Sequence, residues 1–519
     1  MCLPPTERVV QPKVRASGAP IPPTGALIDA RSIGTVLREE EGLTVAEREV
    51  FWGKGPRAKA RRVLDMAEVA KHDTREDLWV CIEGRAYDLT RYAKHHPGGW
   101  QCLASLAGRD ATDAFVNFHP ASVYRAQLPA LYVGDVRDPE TTAFARDARA
   151  LRNSFLQRGM FETSPAYYYR LVAWLASLLA TALWLTVATP HKLCGAVVLG
   201  CFWQQSAFAG HDIGHNAITH KRSWDYWLGV VLGNTTGGIS LGWWEHPHNA
   251  HHVAPNSVEH DPDNQHLPVF AVNELMADGF FSEFHGAEFP FTRAAAALVR
   301  WQHRTYYLVM AFARFNLYAQ SWAHVLSADC ARGWRRFEVG TLAGFWCWLA
   351  ALAWCFESWG GYVAWLLLAH AASGLLEVQI TLSHFAEEVY HGKPHNDDSD
   401  EWYRNQLRTT LDIECPAWLD WLHGGLQFQA AHHLWPRLPR HALRQATDEL
   451  REELGVHPRD VSRLRCLGIT RRVVNARSCM VFYAETHLSS EEILRDHYPR
   501  ARDGFETVSY THLTLPTKA

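Results

Sequence analysis

Four apolar stretches dominate the hydropathy pattern between residues 171 and 382. Each is 18 to 21 residues long, and a helix needs about 20 mainly apolar residues to cross the hydrocarbon core of a bilayer. The stretches are 171–188, 193–210, 339–356 and 362–382. Because short turns at 189–192 and 357–361 join them in pairs, the pattern predicts an α-helical membrane domain with four transmembrane helices in two hairpins.

Basic residues flank the outer ends of both hairpins. Arg170 precedes the first stretch, and Arg332, Arg335 and Arg336 precede the third, whereas the two turns contain a single basic residue, Lys192. Lysine and arginine concentrate on the cytosolic side of membrane proteins, so the outer ends are predicted to face the cytosol. The segments between the hairpins and after the fourth stretch then form a cytosolic cap.

Two further apolar segments are interrupted by polar residues and are predicted to lie at the membrane interface rather than to span it. Segment 227–244 is broken by Asn-Thr-Thr-Gly-Gly, and segment 306–325 carries Arg314, Asn316 and Gln320. Residues 440–454 are predicted to form an amphipathic helix. The membrane domain is predicted to cover residues 150–455.

Residues 65–136 differ in character from the apolar region that follows. A strand at 78–82, a Glu-Gly-Arg turn at 83–85 and a second strand at 86–89 predict an α+β domain, so the chain is multidomain. Residues 1–62, rich in proline, glycine and charge, are predicted to be a disordered leader. Residues 456–519 are predicted to be a tail without a function, in which 508–519 resemble translated adaptor sequence rather than native protein.

Composition narrows the functional classes. With 47% hydrophobic residues the chain is not disordered as a whole, and its net charge of −4 argues against a nucleic-acid partner, which requires a concentrated basic face. None of the 11 cysteines forms a C-x-x-C pair, so a cysteine-based structural zinc site is not predicted. Unpaired cysteines and a start without an apolar signal segment favour a cytosolic setting for the soluble parts.

Three histidine clusters provide the candidate chemistry. Residues three and four apart share one face of a helix, so each cluster can present its imidazoles to a common centre, and the hairpin topology places all three on the same side of the membrane. All-nitrogen ligation suits iron, copper or zinc, and no H-E-x-x-H string supports a zinc protease. The clusters are H-x-x-x-H at His211 and His215, H-x-x-H-H at His248, His251 and His252, and Q-x-x-H-H at Gln429, His432 and His433.

A His-Pro-Gly-Gly turn at 96–99 predicts a haem ligand in the N-terminal domain. Its glycines let the backbone approach a flat cofactor closely, and His96 can reach the haem iron from the loop. His119 is the candidate ligand for the other haem face. Because two histidines leave no position for dioxygen, such a haem transfers electrons and performs no chemistry itself.

Two resemblances organise these features. The N-terminal segment resembles cytochrome b5 through Asp-Leu-Thr at 88–90, the His96 turn, Ala-Gly-Arg-Asp-Ala-Thr at 107–112 and His119. A cytochrome b5 domain at 65–136, followed by the three clusters on two membrane hairpins, resembles the front-end lipid desaturases over residues 65–455. Most membrane desaturases have a histidine at the start of the third cluster, whereas this chain has Gln429 there, as the front-end group does.

The resemblance implies a haem b held by His96 and His119 and two non-haem irons in the membrane domain. His384, at the end of the fourth stretch, occupies the position of an eighth imidazole ligand. Gln429 would be a weak neutral ligand or none, which can open a coordination position. The implied ligands of the two irons are His211, His215, His248, His251, His252, His384, His432 and His433.

Other polar residues near the clusters are given supporting roles. His220 is a rival ligand, but it lies about 140° round a helix from His215 and is disfavoured. His370 is predicted to lie in the bundle interior or a substrate tunnel. Asp212 is predicted to orient a metal-binding histidine without binding the metal itself. Positions behind the ligands or at the membrane interface are predicted for His260, His266 and His423.

The implied reaction is oxygen-dependent desaturation of an acyl chain or sphingoid base held in a long apolar tunnel. NADH is expected to supply electrons through a separate cytochrome b5 reductase, in the endoplasmic reticulum membrane, with the b5 domain and the histidine clusters in the cytosol. Motifs at 237–244, 259–268 and 423–429 favour a sphingolipid Δ8 desaturase. The alternatives are a Δ6, Δ5 or Δ4 polyunsaturated fatty-acyl desaturase, a lipid hydroxylase and a non-enzymatic membrane electron carrier.

Overall fold

The computed structural model describes residues 62–137, 141–327, 330, 332–385, 387–394, 402–413, 415–454, 468–474 and 477–483. Apart from its last residue, the predicted leader lies outside the described residues, and so does most of the predicted tail, including 508–519.

The N-terminal domain has an α+β fold, as predicted. Its elements are β1 (Val63–Leu64), α1 (Met66–Val69), β2 (Trp79–Ile82), β3 (Arg85–Asp88), α2 (Trp100–Ser105), α3 (Thr112–Phe118), α4 (Ala121–Ala126), α5 (Leu128–Leu131) and β4 (Tyr132–Val136). The strand order is β1-β4-β3-β2, with β1 parallel to β4 and the other neighbours antiparallel. The predicted strand–turn–strand unit is β2 and β3, and Glu83 and Gly84 have positive φ in the turn between them.

Helices make up most of the second domain. They are α6 (Ala143–Gln157), α7 (Pro165–Ala188), α8 (Lys192–Gly214), α9 (Arg222–Gly229), α10 (Leu241–Val253), α11 (Arg293–Val299), α12 (Gln302–Phe312), α13 (Arg314–Leu326), α14 (Arg332–Ala351), α15 (Trp359–Ser373), α16 (Leu375–Phe385), α17 (Trp402–Arg408), α18 (Asp420–His423), α19 (Gln429–Leu434) and α20 (Arg440–Leu454). Two short hairpins accompany them: β5 (Phe280–Ser282) with β6 (Ala287–Phe289), and β7 (Gly468–Val474) with β8 (Arg477–Tyr483).

Four helical segments in the described part of the chain are long and apolar enough to cross a membrane. They are Pro165–Ala188, Lys192–Gly214, Gly333–Cys355 and Trp359–Phe385. Each contains most of one predicted stretch, so the prediction of four spans is confirmed. Ser164, whose side chain accepts a hydrogen bond from the Tyr167 amide, and Pro165 at the first helical position start the first of them.

The two hairpins pack against each other and against a helical segment that lies between them in the sequence. The α8 helix lies at the centre, against both α7 and α15, and near the turn of the second hairpin the Tyr362 hydroxyl donates a 2.9 Å hydrogen bond to the Leu349 carbonyl. The predicted interfacial segment 227–244 is not one of the four spans, but its π-helix Val230–Thr236 packs between spans. There the Trp203 and Trp348 indole N–H groups donate to carbonyls of this π-helix at 2.9 and 2.8 Å.

The two domains share one hydrophobic core, which contains Tyr124 of the N-terminal domain, Phe155 of α6 and Trp435 after α19. Helix α6 also ties them together through polar contacts. The Arg149 guanidinium makes two hydrogen bonds of 2.6 and 2.9 Å to the Asp113 carboxylate of α3. The N-terminal domain is therefore held against the membrane domain.

Candidate metal centre and haem site

Four separate segments bring the eight predicted histidines to one end of the helical bundle. They are the C-terminal end of α8, the C-terminal half of α10, the C-terminal end of α16, and α19. The histidines form two adjoining groups, within each of which the candidate ligand atoms lie within 4.8 Å of one another. The first group contains His211, His215, His248, His252 and His432, and the second contains His251, His384 and His433.

The first group has spacings suited to a shared metal ion. The Nε2 atom of His248 lies 3.1 Å from that of His215 and 3.1 Å from that of His252, which in turn lies 3.1 Å from Nε2 of His432. Adjacent nitrogen ligands on an ion with bonds of about 2.1 Å are roughly 3 Å apart. The donor set and its spacing therefore fit a metal ion held by imidazoles.

The second group is oriented by hydrogen bonds on the outer side of each ring. Nδ1 of His251 lies 2.9 Å from the Asp261 carboxylate, Nδ1 of His384 lies 3.2 Å from the Thr409 carbonyl, and Nδ1 of His433 lies 2.9 Å from the Gln406 side-chain oxygen. An Nδ1–H donor to these oxygens leaves the Nε2 lone pair free for a metal. Nε2 of His433 is buried and has no hydrogen-bond partner among the described residues, so the second group also fits a metal ion.

A loop after α10 fixes the two groups relative to each other. Asn256 has a positive φ of 63°. Its backbone N–H donates to the Asp261 carboxylate at 2.7 Å, and its side-chain amide donates to the His384 backbone carbonyl at 3.0 Å. This one loop joins the end of α10 to the end of α16. Two helices that are far apart in sequence thereby present their histidines together.

Burial keeps most imidazoles of the centre neutral. Burial, reinforced by the neighbouring imidazoles, holds the pKa of His215, His252, His432 and His433 well below the usual value. For His251 burial acts in the same direction, but the Asp261 and Asp263 carboxylates together outweigh it and raise the pKa. Neutral imidazoles are the form that binds metals.

Several positions were missed or misassigned by sequence reasoning. Asp261 and Asp263 group with His251, and a signal was available, because both carboxylates follow the second cluster within a dozen residues. Gln406 and Thr409 gave no signal, since they are remote in sequence from the rings they contact. The prediction for Asp212 was wrong: its carboxylate pairs with the Arg440 guanidinium at 2.9 Å and accepts from Tyr168 at 3.0 Å.

The remaining polar candidates occupy distinct places. Gln429 begins α19 and is buried, and its side-chain oxygen has no hydrogen-bond partner among the described residues. His220 lies outside both groups, 3.0 Å from the Thr163 hydroxyl. His370 lies in the bundle interior, 3.2 Å from the Tyr318 hydroxyl.

The other three histidines also lie outside both groups. Nδ1 of His260 is 3.4 Å from the Ser105 hydroxyl of the N-terminal domain. The ring of His266 packs near Phe385 with centroids 5.5 Å apart, and Nδ1 of His423 is 3.4 Å from the Gln379 side chain.

The two predicted haem histidines face each other across the crevice of the N-terminal domain. Their ring centroids are 6.0 Å apart, and two metal–nitrogen bonds of about 2 Å plus the two ring radii amount to roughly 6 Å. Nδ1 of His96 lies 2.8 Å from the Gly99 carbonyl and Nδ1 of His119 lies 3.1 Å from the Phe115 carbonyl, which directs both Nε2 atoms inward. Burial lowers the pKa of both, that of His119 to about 3.

A glycine brings this crevice close to the metal centre. Gly99 has a φ of +88°, and a Cβ atom there would lie 2.8 Å from the ring of His246 on α10. The Gln101 side-chain oxygen lies 3.1 Å from Nε2 of His246. The turn that carries His96 is thus packed against the helix that carries the second histidine cluster.

A small cavity lies beside the first histidine group. Its lining includes the polar side chains of His211, His215 and His432 and the apolar side chains of Phe208, Leu426 and Leu443. Candidate metal-binding side chains and apolar side chains therefore meet at this cavity.

A two-histidine haem domain joined to a helical membrane domain with eight converging histidines defines a membrane-bound oxidoreductase that contains its own electron donor. Comparisons with known proteins agree. Residues 189–462 match the model of the family described as fatty acid desaturase, and residues 65–137 match that of the cytochrome b5-like heme/steroid binding domain. The chain belongs to the fatty acid desaturase family and is a cytochrome b5-fused front-end desaturase, an integral membrane enzyme that acts on lipids.

The similar proteins include desaturases with different named substrates. A Δ8 fatty-acid desaturase of Helianthus annuus is 38% identical over 76% of this chain and 86% of its own length. An acyl-lipid (9-3)-desaturase of Borago officinalis is 35% identical over 75% of this chain and 86% of its own length. A Δ8-(E)-sphingolipid desaturase of Lachancea kluyveri is 38% identical over 62% of this chain and 57% of its own length.

Proposed function

We propose that this enzyme introduces a Δ8 double bond into the sphingoid base of a sphingolipid. The observation that carries the desaturase chemistry is the convergence of eight histidines in two groups. The choice of substrate rests on the motifs at 237–244, 259–268 and 423–429 and on the Δ8-(E)-sphingolipid desaturase among the similar proteins.

In this proposal each histidine group holds one non-haem iron, and His96 and His119 hold a haem b. Iron bound at the two groups supplies the chemistry that removes two hydrogens from adjacent methylenes, with one dioxygen, two electrons and two protons yielding the alkene and two waters. The protein orients the imidazoles: Asp261, Gln406 and the Thr409 carbonyl fix the rings of the second group so that their Nε2 atoms face inward.

The cavity beside the first group has the second task, which is to select one methylene pair. A flexible chain reacts only where it is held, because proximity determines which carbon meets the oxidant. Phe208 and Leu426 would contact the chain in the neighbourhood of His211 and His432, which line the same cavity. The same apolar side chains would exclude water from the reacting carbons.

The electron source and the location complete the proposal. NADH-dependent cytochrome b5 reductase would reduce the haem, in the endoplasmic reticulum membrane, with both histidine groups and the b5 domain on the cytosolic side. The positive charges in the N-terminal turns of the first and third spans, Arg170 and Arg335, support this orientation.

A fatty-acyl substrate is the second candidate, favoured by the acyl-lipid desaturase among the similar proteins. Expression in desaturase-null yeast, with separate analysis of sphingoid bases and acyl chains, distinguishes the two. We expect Δ8-unsaturated sphingoid bases that are absent when His252→Ala is expressed. Unsaturation confined to acyl chains would transfer the proposal to the second candidate, and hydroxylated products would contradict desaturation.

A further inference from the structure

An aromatic contact between the two candidate metal sites runs through Phe118. This residue directly precedes His119 in the chain, and its ring lies 6.0 Å from the ring of His252, centroid to centroid, at an interplanar angle of 81°. His252 is fully buried and belongs to the first histidine group. One peptide unit and one ring contact thus separate a candidate haem ligand from a candidate iron ligand.

Packing on both sides fixes the Phe118 ring in this position. The buried indole of Trp402 lies 6.3 Å from it at an interplanar angle of 80°, and α3, which ends at Phe118, is held to α6 by the ion pair between Asp113 and Arg149. On the haem side, the ring of Phe115 stacks on His119 with centroids 4.5 Å apart. The two domains are therefore already in contact at Phe118, between the haem crevice and the first histidine group.

We infer that Phe118 positions the two sites for direct electron transfer from the haem to the non-haem irons within one chain. This inference rests on the proposed function. With both groups bound, each transfer would oxidise the haem iron from ferrous to ferric and reduce one non-haem iron from ferric to ferrous. The NADH-dependent reductase restores the ferrous haem, and two such steps supply the two electrons of one desaturation.

An interdomain aromatic contact that leads elsewhere provides a matched control. Phe284 also lies at the domain boundary, where its ring is 5.0 Å from that of His246 on α10 and its carbonyl accepts a 3.4 Å hydrogen bond from Gln101. His246 is not a member of either histidine group. Loss of the Phe284 ring therefore removes packing at the same interface without touching a candidate iron ligand.

The test uses purified full-length protein whose haem is reduced with dithionite under anaerobic conditions and then mixed with oxygen in lipid-containing micelles. Reoxidation of the haem is followed by its visible absorbance, and the rate in the His252→Ala variant is subtracted as the direct reaction of haem with oxygen. Reoxidation by ferricyanide, an external oxidant, reports whether the haem itself is intact. Haem and non-haem iron contents are measured for every variant.

We expect Phe118→Leu to reoxidise several-fold more slowly with oxygen but at the wild-type rate with ferricyanide, while Phe118→Tyr and Phe284→Leu both resemble the wild type. A wild-type rate in Phe118→Leu, or equal slowing in Phe284→Leu, would overturn the inference. If Phe118→Leu loses either metal, Phe118→Met replaces it under the same criterion. Absence of non-haem iron from the wild-type protein would instead refute the proposed function.

Discussion

The haem site and the histidine centre are both built from histidines, but the groups that orient the rings lie at different distances along the chain. The two haem histidines donate to backbone carbonyls three and four residues away, at Gly99 and Phe115. In the centre, the partners of His384 and His433 lie 25 and 27 residues away, on a different segment. The orientation of the haem ligands is therefore encoded locally, whereas that of His384 and His433 depends on contacts between distant segments of the membrane domain.

The largest effects should separate the two sites completely. His252 lies between two other imidazoles of the first group. Loss of a hydrogen-bond partner behind a ligand can cost up to about 100-fold. We therefore expect His252→Ala, which removes a ligand itself, to reduce iron content and activity by more than that. His119→Ala should instead abolish the haem spectrum and leave non-haem iron in place. Metal analysis and visible spectra of both variants test this, and loss of both metals in either variant would show that the sites are not independent.

Replacement of the one amide among the predicted site residues probes the centre more gently. Gln429→His is expected to remove most of the activity while iron is retained, because the new imidazole fills a coordination position that the amide leaves open. Lipid product analysis alongside iron content provides the measurement, and Gln429→Asn serves as a control that keeps an amide. Wild-type turnover in Gln429→His would mean that the glutamine has no role at the centre.

Local patterns in the sequence were sufficient for much of the fold. The lengths of the apolar stretches gave four spans, and a Glu-Gly pair gave the turn between β2 and β3, because both signals depend only on neighbouring residues. Residues 440–454, predicted as an amphipathic helix, are the observed α20.

Contacts between distant segments could not be predicted. Asp212 was expected to support a ligand. A buried carboxylate is stabilised by a cation, and the cation beside Asp212 is Arg440. Because Arg440 is remote in sequence, this pairing could not be predicted. The histidines themselves were recognisable from their spacing. Gln406 and Thr409, which orient them, become recognisable only when α17 and the loop after it pack behind α16 and α19.

A smaller effect is expected from the carboxylate behind His251. Asp261 is fully buried and accepts from His251 and from the Asn256 amide, so Asp261→Asn keeps the shape but removes the charge. Loss of such a partner typically lowers metal affinity or activity about 10- to 100-fold. Chelator titration of iron in Asp261→Asn is the measurement, with the exposed Asp448→Asn as control. Unchanged iron retention would indicate that the second group needs no support from outside its ligands.

The smallest expected effect concerns the link between the two regions. Arg149→Gln removes the two-bond ion pair with Asp113, and because the Arg149 side chain is 32% exposed, we expect a cost of only about 1 kcal/mol. Thermal unfolding followed by haem absorbance should show a lower midpoint, with non-haem iron content unchanged. The matched variant Arg158→Gln removes a more exposed ion pair with Glu449 on α20 and should have less effect. Equal shifts in the two variants would mean that the ion pair contributes nothing specific to docking, and that the shared hydrophobic core alone holds the haem domain against the membrane domain.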